Sequence, residues 1–152
     1  MEMTIVRLLI FDDGLLSRSQ SGTVWGRIFF DLGTTSFPDV GWSDLVIVVT
    51  NAWIEGLFQI TAGTTKTMKV FFMDGPLAVN ASTAGPGLVK LDFLHKDRIK
   101  HSVIARLDEL VKDAISAGEN LLSICRQHGW SADPDYARLL TNVEGGIKSL
   151  PV

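Results

Sequence analysis

The stretch Trp42–Ile60, WSDLVIVVTNAWIEGLFQI, is apolar almost throughout, and this limits the folds that the chain can adopt. Ser43 and Asp44 can each accept a hydrogen bond from a free N–H of a first helical turn, and no turn signal follows before Ala62-Gly63. At about 100° per residue, one narrow stripe holds the polar residues Asp44, Asn51, Glu55 and Gln59. The pattern therefore predicts a helix over this stretch rather than a strand.

A helix that is apolar on nearly every side is either a core helix or a membrane span. A span needs about 20 predominantly apolar residues, and the polar stripe counts against one here. We therefore interpret Trp42–Ile60 as a core helix, with Trp53 packed inside the protein.

Five other segments carry strand signals, with β-branched or alternating apolar residues bounded by turn residues. They are Met3–Phe11, Thr23–Leu32, Thr67–Met73, Leu77–Ala81 and Leu88–His95. In the last of them apolar and polar residues alternate, which is typical of a sheet with one solvated face. Gly26, inside the second segment, predicts a bulge or a close backbone approach.

Two helices are predicted after the strands. Apolar residues recur at helical spacing from Ile99 to His128, which indicates one long helix. Gly118 in its interior costs roughly 1 kcal/mol relative to alanine. If the helix is continuous, alanine at this position would stabilise the protein. Otherwise the glycine marks a bend, a positive φ or a tight helix crossing. Asp133 as N-cap and Pro134 at the first helical position begin a shorter helix that ends at Gly145-Gly146.

The resulting element order is β-β-α-β-β-β-α-α. Short connections between strands predict an α+β, two-layer fold, in which the central helix and the long C-terminal helix pack on a mostly antiparallel five-stranded sheet. We assign residues 1–146 to a single domain and residues 147–152 to a loose C-terminal tail.

Composition narrows the classes of function. The net charge is −3, with no basic run, so the electrostatic footprint of a nucleic-acid-binding protein is missing. No signal peptide is recognisable at the amino terminus. Cys125 is the single cysteine, which fits a reducing compartment. It lies on the apolar side of its predicted helix, so we interpret it as an inert core thiol. We predict a cytoplasmic protein that does not bind membranes. No glycine-rich phosphate loop opens a helix, and we expect no cofactor.

Antiparallel alternation brings several loops to one end of the predicted sheet. That end collects Asp31 and the amino terminus of the long helix, and it holds our candidate binding residues, which are Phe37, Asp39, Trp42, Asp44, Asp74, His95 and Asp97. Carboxylates and aromatic side chains clustered on loops are more often functional than structural.

Each of these residues also has a simpler interpretation. Asp44 fits a helix N-cap, and Asp74 fits a turn residue. His95 beside Asp97 fits either a proton-transfer pair or a solvated strand end. The spacing of His95, Asp97 and His101 matches no metal site, and we assign neither metal ligands nor catalytic residues.

Short motifs add a family resemblance. Phe37-Pro38, Trp42-x-Asp44, Trp53 and Phe72-Met73-Asp74-Gly75-Pro76 resemble a pattern in small bacterial proteins, some of which are similar to immunity proteins encoded beside secreted toxins. The resemblance covers Phe37–Leu94. It implies a non-enzymatic protein that blocks a partner, such as a toxin, by binding it.

Three hypotheses of function follow. The first is a protein-interaction protein of the immunity type that binds with the acidic, aromatic end of the sheet. The second is a small enzyme or ligand-binding domain with a pocket there, in which Asp44 or Asp74 is the general base and His95 carries the proton. A deep pocket would favour the second, and a flat, convex surface would count against it. The third is a subunit of a homo-oligomer. Phe71 and Phe72 make both faces of one predicted strand apolar, and a second copy of the chain could cover one of these faces.

Overall fold

The computed structural model describes residues 3–149, and the fold is α+β as predicted. Within these residues, nine strands form two antiparallel sheets, and three helices accompany them. The first sheet contains β1 (Arg7–Phe11), β2 (Ser17–Arg18), β3 (Val24–Asp31), β4 (Ser36–Phe37) and β5 (Ser43–Leu45). The second sheet contains β6 (Thr67–Phe71), β7 (Leu77–Thr83), β8 (Leu88–His95) and β9 (Arg98–Arg106). The helices are α1 (Val46–Thr61), α2 (Leu107–Gln127) and α3 (Pro134–Ser149).

The first sheet is built around β3. Trp25 is paired with both Ser17 and Leu45, and Arg27 is paired with both Phe11 and Ser43. Strands β1 and β2 therefore follow one side of β3, while β4 and β5 follow the other. The N–H of Thr4 donates to the carbonyl oxygen of Ile104 at 2.8 Å, which joins this sheet to β9 of the second one. The division into two sheets corrects our prediction of one five-stranded sheet.

The second sheet is a meander in the order β6-β7-β8-β9. The hairpin between β8 and β9 turns through Lys96 and Asp97, whose φ angles of 51° and 63° fit a two-residue turn of type I′. The pairing shifts beyond it, because Phe93 faces His101 while Leu94 faces Ile99. Lys100 is thus the extra residue of a β-bulge.

Strand β9 corrects our prediction that the long helix starts at Ile99. The spacing of Ile99, Val103 and Leu107 fits a helix. The segment is also rich in the β-branched residues Ile99, Val103 and Ile104, which suits a strand. Pairing with β8 along the whole of Arg98–Arg106 supplies the backbone hydrogen bonds that a helix would otherwise supply. Helix α2 consequently begins at Leu107.

Helix α1 is the predicted core helix, although it begins at Val46 rather than Trp42. Ser43–Leu45 pair with β3 before the helix starts, and the N-cap residue Leu45 makes no side-chain capping bond. Trp53 is buried and packs edge-to-face on Phe30, with 5.0 Å between the ring centroids. The prediction that Trp53 lies in the core is confirmed.

Helices α1, α2 and α3 meet at Gly118. Helix α2 is continuous through this residue, and a Cβ atom there would lie 2.6 Å from Cγ2 of Val143 and 3.1 Å from Cδ1 of Ile54. The glycine therefore marks a tight helix crossing, the last of the alternatives that the sequence left open. Cys125 is buried in the same helix, and burial raises the pKa of its thiol to about 11.

Helix α3 starts as predicted, with the Asp133 carboxylate accepting from the N–H of Asp135 at 3.0 Å. It continues beyond Gly145-Gly146 to Ser149, so the first residues of the predicted tail are helical. Residues 150–152 of that tail lie outside the described residues. Of the helices between residues 3 and 149, none combines the length and the apolar character needed to cross a membrane.

Candidate functional site

A cleft of about 500 Å³ opens where the two sheets meet. The loop after β4 forms one side, the β6–β7 turn forms another, and the ends of β8 and β9 form the third. The lining consists of Phe37, Pro38, Asp39, Trp42, Asp74, Gly75, Pro76, Leu77, His95, Lys100 and His101. We refer to this site as the cleft.

The floor of the cleft is aromatic. Phe37 is buried, and its ring centroid lies 5.2 Å from that of Phe93 and 6.0 Å from that of Phe72. The ring of His101 meets Phe37 edge-on at 6.4 Å. Because these rings come from both sheets, the floor forms only when the sheets pack together.

Asp44 joins two sides of the cleft from below. It is fully buried, and its carboxylate accepts the indole N–H of Trp42 at 3.0 Å and the backbone N–H groups of Met73 and Asp74 at 3.0 and 3.1 Å. The N–H of Leu45 donates to the same carboxylate at 2.7 Å. Asp44 therefore caps the β6–β7 turn instead of helix α1, which corrects the N-cap interpretation.

Gly75 lets the Trp42 ring lie against this turn. Its φ of 142° is one that residues with a side chain rarely adopt. A Cβ atom at this position would also lie 3.4 Å from Cη2 of Trp42. A larger residue would strain the backbone and press on the indole, so the Asp-Gly-Pro sequence is matched to the position of Trp42.

The third side of the cleft is basic. His95 ends β8, and the bulge in β9 places the side chains of the consecutive residues Lys100 and His101 on the cleft, where a regular strand would turn one of them away. Our sequence interpretation missed Lys100, because it placed the residue at the start of a helix. A turn at Lys96-Asp97 followed by an alternating segment was the signal that could have revealed it.

The acidic and the basic side chains lie on different sides of the cleft. Asp39 and Asp74 lie on the sides next to Trp42, whereas His95, Lys100 and His101 lie on the third side. Asp39 also accepts the N–H of Gly41 at 2.8 Å. Among residues 3–149, the side chains of Asp74, His95, Lys100 and His101 have no hydrogen-bond or ion-pair partner. These groups are available to a ligand.

The structure brings five of the seven candidate binding residues into the cleft, which are Phe37, Asp39, Trp42, Asp74 and His95. Asp44 lies behind the lining. Asp97 is on the outer face of the second sheet, where its 89% exposed side chain pairs with Lys69 at 3.4 Å. The hypothesis of a His95–Asp97 proton-transfer pair is therefore wrong in this structure.

Two other features predicted for this end lie outside the cleft. The amino terminus of α2 lies at the opposite end of the second sheet, where the N–H of Leu107 donates to the carbonyl of Gly87 at 2.9 Å. Asp31 lines a separate, shallower groove that shares Asp39 with the cleft.

Between residues 3 and 149, no three His, Cys, Asp or Glu side chains are grouped so that they could hold a metal ion.

Comparison of the chain with protein-family models, with curated proteins and with solved structures gave no match. The geometry of the cleft and the chemistry of its lining are thus the basis for assigning a function.

Proposed function

We propose that this protein acts by binding a partner protein, and that the cleft and its rim form the binding surface. The observation that carries the proposal is the group of charged side chains without partners around an aromatic floor. Exposed charges beside a concave aromatic surface offer both an anchor and a means of selecting the partner.

The fixed walls of the cleft support this proposal. They are held in place before any partner arrives, because the Asp44 carboxylate accepts the indole N–H of Trp42 and the N–H groups of Met73 and Asp74 in the β6–β7 turn. Such preorganisation lowers the entropic cost of binding.

The resemblance to immunity-type proteins supplies the kind of partner. Its motifs provide Phe37, Pro38, Trp42 and the Asp74-Gly75-Pro76 turn, which are lining residues of the cleft. We propose a bacterial, cytoplasmic inhibitor that inserts no catalytic group into its partner but covers a surface of it. A toxin encoded beside the gene is the partner to test first.

The experiment compares three variants in partner capture and in protection of cells from the neighbouring toxin. Trp42→Ala and Asp74→Lys should each weaken binding by about 2 kcal/mol or more, because aromatic anchors and central charges dominate interface energies. Glu144→Lys, on the exposed face of α3, makes the same charge change away from the cleft and should leave binding intact.

Circular dichroism and the unfolding midpoint of each variant must show an intact fold. Equal losses for Asp74→Lys and Glu144→Lys, or no captured protein and no protection, would contradict the proposal. Light scattering on the wild type completes the test. A dimeric mass would make a second copy of the chain the partner, with Phe71, which is 52% exposed, as the side chain to mutate first.

A second candidate function is a small enzyme or ligand-binding domain. The volume of the cleft favours it, because about 500 Å³ falls within the range of roughly 300–1,000 Å³ that is typical of small-molecule sites. Asp44 cannot serve as its general base, since it is buried and accepts several hydrogen bonds. Asp74 and His95 remain as the proton-transfer groups.

Activity screening with wild type and with His95→Gln separates the two candidates. An enzyme should lose turnover in the variant while it still binds its substrate. A binding protein should show no turnover that differs between the two forms.

A further inference from the structure

The bulge in β9 is the feature that the proposed function does not explain. A flat interface needs no bulge. The bulge in β9 places the consecutive side chains of Lys100 and His101 beside His95 on one side of the cleft. Bulges often occur next to functional sites, where they redirect a side chain. The arrangement provides several N–H donors for one anionic group.

Asp39 and Asp74 give the opposite character to the sides beside Trp42. Their carboxylates accept hydrogen bonds and favour a cationic group. The lining also includes the apolar surfaces of Phe37, Trp42 and Pro76. Phe37 meets the ring of His101 on the basic side, and Trp42 lies against Gly75, the neighbour of Asp74. A ligand that matches the cleft thus carries a cation at one end, an anion at the other and an apolar body between them.

We infer that the cleft binds a short peptide with free termini and apolar side chains, the ammonium group at Asp39 and Asp74 and the carboxylate at His95, Lys100 and His101. The inference rests on the proposed function in that both use the cleft as a binding site, but it does not require a partner protein. It names the chemical class of the ligand that the cleft accommodates.

The size of the cleft is consistent with this ligand. An extended residue spans about 3.3–3.6 Å, so the two ends of a dipeptide are about 7 Å apart. In a free amino acid the two charged groups are bonded to the same carbon, whereas a dipeptide separates them by a peptide unit. The cleft volume of about 500 Å³ lies within the range that is typical of small-molecule sites.

The experiment uses phenylalanyl-leucine as the probe, together with three capped forms. The N-acetyl form lacks the cation, the C-terminal amide lacks the anion, and the doubly capped form lacks both. Titration calorimetry measures each affinity, and the NMR signal of the Trp42 indole N–H, identified by its loss in Trp42→Phe, reports whether the peptide enters the cleft. We expect each cap to weaken binding about tenfold, because each removes a charge-assisted hydrogen bond.

Variants test which side recognises which end. Lys100→Gln should reduce the penalty for the C-terminal amide, because His95 and His101 remain, and should keep the full penalty for the N-acetyl group. The double variant Asp39→Asn/Asp74→Asn should do the reverse. Lys66→Gln, which also replaces a lysine by glutamine, lies just before β6, at the end of that strand away from the cleft. It should leave all four affinities unchanged.

Several outcomes would overturn the inference. Equal binding of all four peptides would show an apolar cleft without charge recognition. A penalty for the amide alone would indicate capture of a chain carboxyl terminus, with the acidic side uninvolved. If a partner protein binds but no uncapped dipeptide shifts the Trp42 signal, the proposed function stands and the inference fails. If dipeptides bind as expected and no partner protein is found, the inference stands and the proposed function fails.

Discussion

Polar side chains cluster in two places, at the interface between helices α1 and α3 and around the cleft. The two clusters differ in whether the protein itself supplies the hydrogen-bond partners. At the interface, Asn142 donates to Asn51 at 2.9 Å and to Glu55 at 2.8 Å, and the guanidinium of Arg138 binds the Glu55 carboxylate through two nitrogens. Asn51 donates in turn to the carbonyl of Asp135 at 3.2 Å. Each member of this network is satisfied by the protein itself.

Around the cleft, Asp39 accepts one backbone N–H, that of Gly41, and the buried Asp44 behind the lining is satisfied as fully as the network is. The charged groups in front of it, such as Asp74 and Lys100, have no partner among residues 3–149. A satisfied network stabilises one arrangement of helices, whereas charges left open beside aromatic rings contribute little to the folded state. Asn51 and Glu55, two residues of the polar stripe, therefore serve the fold, whereas the charges of the cleft are available for binding.

The largest expected effect tests the packed side of this comparison. Trp53→Ala should lower the free energy of unfolding by about 3–5 kcal/mol, because the buried ring leaves a cavity against Phe30. Trp42→Ala, at the half-buried wall of the cleft, should cost only about 1–2 kcal/mol. Urea unfolding measures both. Equal losses would mean that the cleft wall is as much a part of the core as α1.

Asp44, behind the lining of the cleft, and Asp74, in the lining, should affect stability to different extents. Asp44→Ala should cost about 2–3 kcal/mol, because it leaves the Trp42 indole and the N–H groups of Met73 and Asp74 without their acceptor. Asp74→Ala removes an exposed carboxylate and should change stability by about 0.5 kcal/mol or less. Chemical denaturation of the pair provides the measurement, and a reversed order would refute the role of Asp44 as the support of the cleft.

A smaller effect is expected at the helix crossing. Gly118→Ala should destabilise the protein by about 1–2 kcal/mol, because the new methyl group overlaps Val143 and Ile54 and outweighs the gain in helix propensity. Gly145→Ala, in α3, meets no atom within 4 Å and should be neutral or stabilising by up to about 1 kcal/mol. Thermal melts compare the two, and stabilisation by both would show that the helices can move apart freely.

The smallest expected effect concerns pH. The hydrogen bond from Arg138 lowers the pKa of Glu55, against the opposing effect of partial burial. The folded state then binds fewer protons than the unfolded state near the ordinary glutamate pKa of about 4.3, so the contribution is present above that pH and is lost as pH falls through the lowered value. Because Arg138 is 60% exposed, solvent screening limits this contribution to about 1 kcal/mol or less.

The measurement compares wild type with Glu55→Gln by urea unfolding between pH 7 and pH 3. The difference in stability should be present at neutral pH and should shrink toward zero in acid. A difference that grows as the pH falls would contradict the sign of this linkage.

Much of the fold was predictable because its signals are local. The periodicity of Trp42–Ile60 predicts a buried helix with Trp53 inside, and alternation in Leu88–His95 predicts a strand with one inner face. Simple alternation of antiparallel strands also brings the Asp74 turn and His95 to one end, where the structure places both in the cleft. These predictions needed only the spacing of apolar residues and the chemistry of turns.

The remaining features depend on partners that are distant in the chain. Asp44 sits beside a helix start and looks like its cap, but its carboxylate binds the N–H groups of Met73 and Asp74, which only the packing of the two sheets brings near. Lys100 lies in a segment whose spacing also fits a helix, and pairing with β8 makes it the bulged residue that faces the cleft. Gly118 is a weak helix former until Val143 and Ile54 pack against it. The sequence by itself determined the α+β class, the core helix and five of the eleven residues that line the cleft, because periodicity and turn signals act over a few residues. The tertiary structure alone decided what Asp44, Lys100 and Gly118 do, because each owes its environment to residues that the chain brings back from far along its length.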